Sequence, residues 1–135
     1  MKLLTKDTDY AVRALLILAQ SKGEFVSVRE IAKKQNMPYH FLRRVLRELI
    51  KNKIVIAKEG GRGGVKIGKD PASVKIKDLI KIFQGDIRFL ECRLRGKVCR
   101  NYSGCTLREK IQKIEDMAVK AFSKITLKAL IGDSN

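Results

Sequence analysis

Between Thr8 and Ala19 apolar residues follow one another almost without a break: Tyr10, Ala11, Val12, Ala14, Leu15, Leu16, Ile17 and Leu18, with no glycine or proline among them. Such a stretch predicts a first helix buried on most sides, with Gly23 as its stop signal. Ser27 and Glu30 have the spacing of a capping box, and Val26 and Ile31 are placed for a hydrophobic staple across it, so a second helix is expected from about Val28. Asn36, Met37 and Pro38 interrupt that helix. Pro38 suits the first turn of a third helix, which carries Phe41, Leu42, Val45, Leu46 and Leu49 to about Asn52. Two helices joined by a tight turn result.

The period then changes. Ile54, Val55 and Ile56 precede Gly60, Gly61, Arg62, Gly63 and Gly64, and Val65 and Ile67 follow with lysines between and after them. Two short β-rich runs around a glycine-rich tip predict a hairpin, which Asp70 and Pro71 end. Leu79, Ile80 and Phe83 mark a brief amphipathic helix before Gly85. A loop over residues 86–105 follows. Thr106 and Glu109 read as a second capping box, opening a long helix in which Leu107, Ile111, Ile114, Ala118, Ala121 and Ile125 recur at alternating steps of four and three. That seam is either laid on the chain's own domain or, since so small a domain has little core left to cover it, on a second copy. The expected architecture is mainly α with a small β-hairpin wing: a winged helix-turn-helix over 1–85, a loop over 86–105 and a dimerisation helix over 106–131.

Charge narrows the function. Thirty Lys and Arg stand against fourteen Asp and Glu, a net +16, and a field of that sign draws in polyanions. In a helix-turn-helix the second helix enters the major groove with its N-terminal side chains, which here are Tyr39, His40, Arg43, Arg44 and Arg47. Arginine pairs bidentately with guanine, while Lys58 and Lys66 of the wing suit phosphates and Arg62 at its tip suits a minor groove. His40 is the single histidine and falls on the reading helix, so it is assigned to DNA contact. No apolar run reaches the roughly 18–20 residues that cross a bilayer, and the start of the chain lacks the plan of a leader, so a cytoplasmic protein without membrane partners is expected. An enzyme is not: no acid–base pair or nucleophile triad is visible, and the Gly60–Gly64 run lacks the Lys-Ser/Thr of a phosphate loop.

Cys92, Cys99 and Cys105 fall within 14 residues, among Arg93, Arg95, Lys97 and Arg100. Clustered, odd-numbered cysteines in a reducing compartment point to metal or redox chemistry before a disulfide framework. Cationic neighbours, and a helix start after Cys105, suit anionic sulfur ligands. Zinc usually announces itself with a Cys-x-x-Cys pair and four N or S ligands. An iron-sulfur cluster fits three cysteines better, because one iron can take another ligand. Two function classes therefore compete: a cluster-bearing DNA-binding regulator, and a basic structural or RNA-associated protein with zinc on its cysteines.

Three features together resemble a known family: the opening Leu4–Ala19 with its Thr8-Asp9-Tyr10-Ala11 core, the wing ending Gly63-Gly64-Val65-Lys66-Ile67-Gly68-Lys69, and the three-cysteine loop before a long helix. Nearly the whole chain resembles the winged-helix iron-sulfur transcriptional regulators of the IscR/NsrR type. The resemblance implies a homodimer on a double-stranded DNA operator, repressing or activating according to a [2Fe-2S] or [4Fe-4S] cluster that reports iron-sulfur supply, redox state or nitric oxide. It also implies a fourth ligand, Asp9, matching the aspartate that NsrR-like members supply across the dimer. Asp7, Glu91 and Glu109 are rival carboxylates, and Asp9 equally suits the first turn of helix one. The chain departs from the family pattern in a first cysteine gap one residue longer, in Glu59 where an arginine is common in the wing, and in Arg108 where IscR-like members carry a ligating histidine.

Overall fold

The computed structural model describes residues 2–94 and 97–132. Helix α1 (Lys6–Gln20) starts two residues before the expected Thr8, because Thr5 caps it, its hydroxyl accepting from Thr8 N. Ala11, Ala14, Leu15 and Leu18 are wholly buried, and α1 touches every other long helix of the N-terminal unit. Thr8 is the buried polar side chain of this core and donates to Gln84 Oε1 at 2.6 Å. Gln84 also accepts from Thr5 N and donates to Leu3 O, both at 3.0 Å, so one amide fastens the start of α1 to the end of α4 (Ile76–Gln84).

Helix α2 (Val28–Gln35) begins as its sequence predicts: Ser27 Oγ accepts from Glu30 N at 3.1 Å, while Val26 and Ile31 are buried. The Glu30 carboxylate pairs with Lys34 instead of closing the box. Asn36 at φ 51° ends α2 in the left-handed region that asparagine tolerates. Helix α3 (Tyr39–Lys51) takes Pro38 as its cap residue rather than inside its first turn. It buries Leu42, Val45, Leu46 and Leu49 and leaves its arginines outward. Burial of such side chains stabilises by about 1.5–3 kcal/mol each, so this stripe fixes which face of α3 looks out.

The wing is β1 (Val55–Lys58) paired antiparallel with β2 (Gly64–Ile67), Val55 opposite Ile67 and Lys58 opposite Gly64. Val26 and Val65 exchange backbone hydrogen bonds, both 2.8 Å, and so hold the wing to the cap of α2. Gly64 is required there: its φ is +148°, and a Cβ on it would lie 2.3 Å from Val26 O. Helix α4 (Ile76–Gln84) ends at Gly85 as expected.

Beyond it the structure corrects three expectations. Residues 86–105 contain a two-stranded hairpin, β3 (Arg93–Leu94) with β4 (Lys97–Val98), as well as loop. The cap of α5 (Thr106–Lys124) is Cys105, not Thr106: its sulfur accepts from Arg108 N at 3.3 Å, and Thr106 is the first helical residue. The helix expected over 106–131 is also two. Ile125 is extended and, with Leu127, bonds to the strand-like segment Val74–Ile76 (Ile76 N to Ile125 O, 3.0 Å; Leu127 N to Val74 O, 2.8 Å), after which α6 (Leu127–Gly132) packs on α1. Leu127 is fully buried in the winged-helix core. The end of the chain thus returns to the winged-helix core, and Ile125 leaves the expected seam because its backbone bonds to Ile76.

Gly64→Ala should loosen the wing. We expect a loss of about 1–3 kcal/mol from the steric clash and the disfavoured φ, read by urea unfolding; an unchanged midpoint would mean that the wing is not held at Val26.

Candidate nucleic-acid interface and cysteine segment

The apolar stripe of α3 faces inward, so its N-terminal polar face is displayed. Tyr39 is half-buried and His40, Arg43, Arg44 and Arg47 are exposed. Around Tyr39 the structure gathers cations from two helices: the guanidinium of Arg29 on α2 lies 5.2 Å from its ring centre and that of Arg43 on α3 lies 5.8 Å, with the His40 ring edge-on at 5.9 Å. Arg29 went unread in the sequence, where it is merely an arginine in a capped first turn. Arg44 has a different situation. It stacks on Phe41 at 4.3 Å and pairs with Asp7 of α1 at 3.1 Å, so this side chain is oriented from within the molecule.

The wing repeats the device. Lys58 and Lys66, on opposite strands, both lie over Phe25, at 5.7 and 4.9 Å from its ring centre. Arg62 stands exposed among the tip glycines. Cation–π contacts of this kind restrain long flexible side chains while leaving their charges in solvent, where phosphates bind.

The second candidate site lies at the foot of α5. Cys99 N–H donates to Cys92 O at 2.6 Å, and Tyr102 N–H donates to Cys99 O at 3.1 Å, so one backbone chain of bonds runs from Cys92 towards the turn Tyr102–Gly104 and the cap residue Cys105. Cys99 is exposed, and Cys92 and Cys105 are half-buried. Arg108 is engaged structurally: it donates to Tyr102 O at 2.8 Å and stacks on that ring at 4.3 Å. Glu115 accepts from Phe89 N at 3.2 Å and fastens the segment to α5. An open concavity of about 1000 Å³ lies between, lined by Phe89, Cys92, Tyr102, Arg108, Ile111 and Glu115 among others.

Among the described residues no three His, Cys, Asp or Glu side chains converge as a metal-holding group. The donor chemistry still suits iron and sulfide, with three thiols on one short segment. Asp9 sits in the first turn of α1, where Arg13 donates to both of its carboxylate oxygens at 3.1 Å. Its rivals are no closer to service: Asp7 is paired with Arg44, and Glu91 and Glu109 point to solvent. On α5, Leu107, Ile114 and Ala121 are exposed, whereas Ile111 and Ala118 are half-covered by the chain itself. No helix among the described residues is long and apolar enough to cross a membrane.

Residues 4–133 match the model of the Rrf2 family, described as an iron-dependent transcriptional regulator. The HTH-type transcriptional regulator NsrR of Oceanobacillus iheyensis is 35% identical over 130 residues, covering 95% of this chain and 88% of that one. Among solved structures, CymR, the global cysteine regulator of B. subtilis, superposes with a TM-score of 0.80 at 23% identity over the whole of both chains. IscR of T. potens does so with a TM-score of 0.77, also at 23% identity, over all of this chain and 89% of that one.

Two outcomes separate the roles of the arginines. Arg43→Ala should cost about 1–3 kcal/mol on a selected operator and relax its sequence preference. Arg29→Ala and Lys66→Ala should weaken binding to all duplexes alike, each lowering the slope of log K against log salt by about 0.9. Anisotropy titrations at several salt concentrations measure both, and equal affinity of all three variants with the parent would remove this surface from DNA binding.

Proposed function

The chain belongs to the Rrf2 family of transcriptional regulators, and from that premise we propose that it is a homodimeric DNA-binding regulator whose operator affinity follows an iron-sulfur cluster held on Cys92, Cys99 and Cys105. That it is a transcriptional regulator and not an enzyme follows from the family itself. The reading of DNA is assigned to Tyr39, His40, Arg43, Arg44 and Arg47 of α3, with Arg29 from α2 and Lys58, Arg62 and Lys66 from the wing. Winged-helix likeness alone leaves the signal open, since the same fold serves a global cysteine regulator. The signal must therefore be read from side chains.

The observation that carries the cluster reading is the cysteine segment: three thiols within 14 residues, Cys92 and Cys99 joined by a backbone hydrogen bond and Cys105 capping a helix with an uncovered apolar edge. When bound, a cluster supplies a centre sensitive to iron-sulfur supply, redox state and nitric oxide. Three thiols leave one ligand position, which we assign to Asp9 of a second copy of the chain. The support is its place in the Thr8-Asp9-Tyr10-Ala11 segment and its exposed setting, where the ion pair with Arg13 is of the i,i+4 surface type worth ~0.3–0.5 kcal/mol and opposes its release only weakly. The dimer is assigned to the exposed edge of α5, Leu107, Ile114 and Ala121, flanked by Ile111 and Ala118; Met117, 70% exposed, widens that edge. Whether the cluster is [2Fe-2S] or [4Fe-4S] is read from its spectrum.

Protein prepared without oxygen should be brown, with visible charge-transfer absorption; a colourless protein would remove the cluster and leave a family regulator that answers another signal. Asp9→Ala should leave folding and dimerisation intact while changing the cluster's resonance Raman bands and quickening its loss. Indistinguishable spectra and loss rates would pass the role to Glu109 or another ligand.

Ile114→Glu should yield monomers in sedimentation, because a charge in the middle of an apolar seam is uncompensated. A well-folded dimer after that change would put the interface elsewhere.

A further inference from the structure

We propose that Cys92 and Cys99 form a reversible disulfide across the open end of the β3–β4 hairpin when the cluster-free chain meets hydrogen peroxide. The ladder pairs Arg93 with Val98 and Leu94 with Lys97, so one further step sets Cys92 directly opposite Cys99. The bond from Cys99 N–H to Cys92 O confirms that step. Opposite residues of an antiparallel pair carry their side chains on the same face, and at a hydrogen-bonded position their Cα atoms lie about 5.5 Å apart, inside the span of roughly 4.4–6.8 Å that disulfides bridge; their Cβ atoms, also about 5.5 Å apart there, must close to about 4.5 Å, and the pair lies just past the last ladder residues Arg93 and Val98, at the end of the hairpin where the backbone can make that adjustment. Cys105 is placed otherwise. Its sulfur is engaged as the cap of α5, bonded to Arg108 N, and it lies beyond the turn Tyr102–Gly104 rather than on the ladder.

Exposure sets the order of events. Cys99 is exposed and Cys92 half-buried, so peroxide reaches Cys99 first. The Cys99 sulfur attacks one peroxide oxygen; an S–O bond forms, the O–O bond breaks, and the departing hydroxide takes the proton of the Cys99 thiol and leaves as water. The Cys92 sulfur then attacks the Cys99 sulfenic sulfur. An S–S bond forms, the S–O bond breaks, and a second water leaves with the Cys92 proton. Two thiols lose two electrons, and one peroxide becomes two waters. A thiol reductant reverses the bond. If the cysteines also hold a cluster, as proposed above, the disulfide withdraws two of its three thiols and blocks reassembly until reduction; that consequence rests on the cluster reading, but the disulfide itself does not.

The sequence makes the test direct, because trypsin places the three cysteines in separate peptides: Phe89–Arg93, Val98–Arg100 and Asn101–Arg108. The full chain, stripped of iron with a chelator and reduced, is treated with one equivalent of peroxide, its free thiols are alkylated, and the unreduced digest is weighed by mass spectrometry. Phe89–Arg93 joined to Val98–Arg100 should dominate, with Cys105 alkylated, monomers on a non-reducing gel, and the link lost in dithiothreitol. The link should persist in Cys105→Ser, while Cys92→Ser should leave a Cys99 sulfenic acid that dimedone traps. A principal link to Asn101–Arg108, a disulfide-linked dimer, or Cys99 carried to sulfinic acid without a link overturns the proposal. Anaerobic reconstitution reads the cluster independently: a colourless protein that still forms the Cys92–Cys99 link defeats the cluster reading alone, and a brown one lacking the link after stripping defeats the disulfide alone.

Discussion

The packing around α1 governs the rest of the molecule. This helix is apolar on nearly every side, and Ala11, Ala14, Leu15 and Leu18 have no exposed surface. A helix of that kind must be enclosed by its neighbours, and here α2, α3, α4, β2 and α6 all contribute. The need for enclosure brings the chain's last helix back, through Leu127, to the domain formed by its beginning. It also sets the acidic first turn of α1, with Asp7 and Asp9, at the edge of the core. Asp7 reaches the reading helix through Arg44, whereas Thr8 between them is locked to Gln84 just before the chain turns towards the cysteines. A buried hydroxyl without its partner costs about 1–3 kcal/mol, so the Gln84 amide keeps this turn in register with both neighbours.

The excess of positive charge is organised by very few rings. Eight Phe and Tyr residues serve the whole chain, and Phe25, Tyr39, Phe41 and Tyr102 each carry one or two cations. Arg and Lys side chains lose considerable rotamer freedom when they are fixed to a ligand. A cation already resting on a ring has lost part of it before binding, so less is lost on contact with a phosphate. The arrangement explains why the wing and α2 matter together: Val26 bonds to Val65 of β2, and Phe25 beside it supports lysines from both strands.

Much of this was legible in the sequence, and most of the exceptions depend on which distant segments meet. The cap of α2, the stripe of α3, the glycine tip of the wing and the stop at Gly85 are local signals, and each stands where its residues put it. The start of α5 was misjudged by one residue because Ser, Thr, Asp and Asn are the usual caps, while here a thiol occupies that place. Its end was hidden because Ile125 continues a seven-residue repeat. Only the bridge to Val74–Ile76, some fifty residues away in sequence, makes it extended. Arg29 and the Asp7–Arg44 pair are likewise invisible locally, since each depends on which two helices meet. The cysteines are the reverse case: their spacing announces chemistry, but the cross-strand pairing of Cys92 with Cys99 appears only once β3 and β4 are paired.

The heptad stripe does not present one face. Ile111 lies towards the cysteine concavity, while Leu107, Ile114 and Ala121 lie outward. The same helix is therefore capped by a thiol at its foot, lines the concavity beside Cys92 on one edge, and offers apolar surface on the other. Close-packed elements transmit displacement because their interiors cannot be compressed. Cys105 caps α5, and α5 packs on α4, whose last residue holds the first turn of α1. From Asp7 in that turn to Arg44 on the reading helix is a single ion pair. Every step of this route is a contact within one chain, so the cysteine segment and the helix face assigned above to DNA are joined by packed elements and one ion pair without a second subunit.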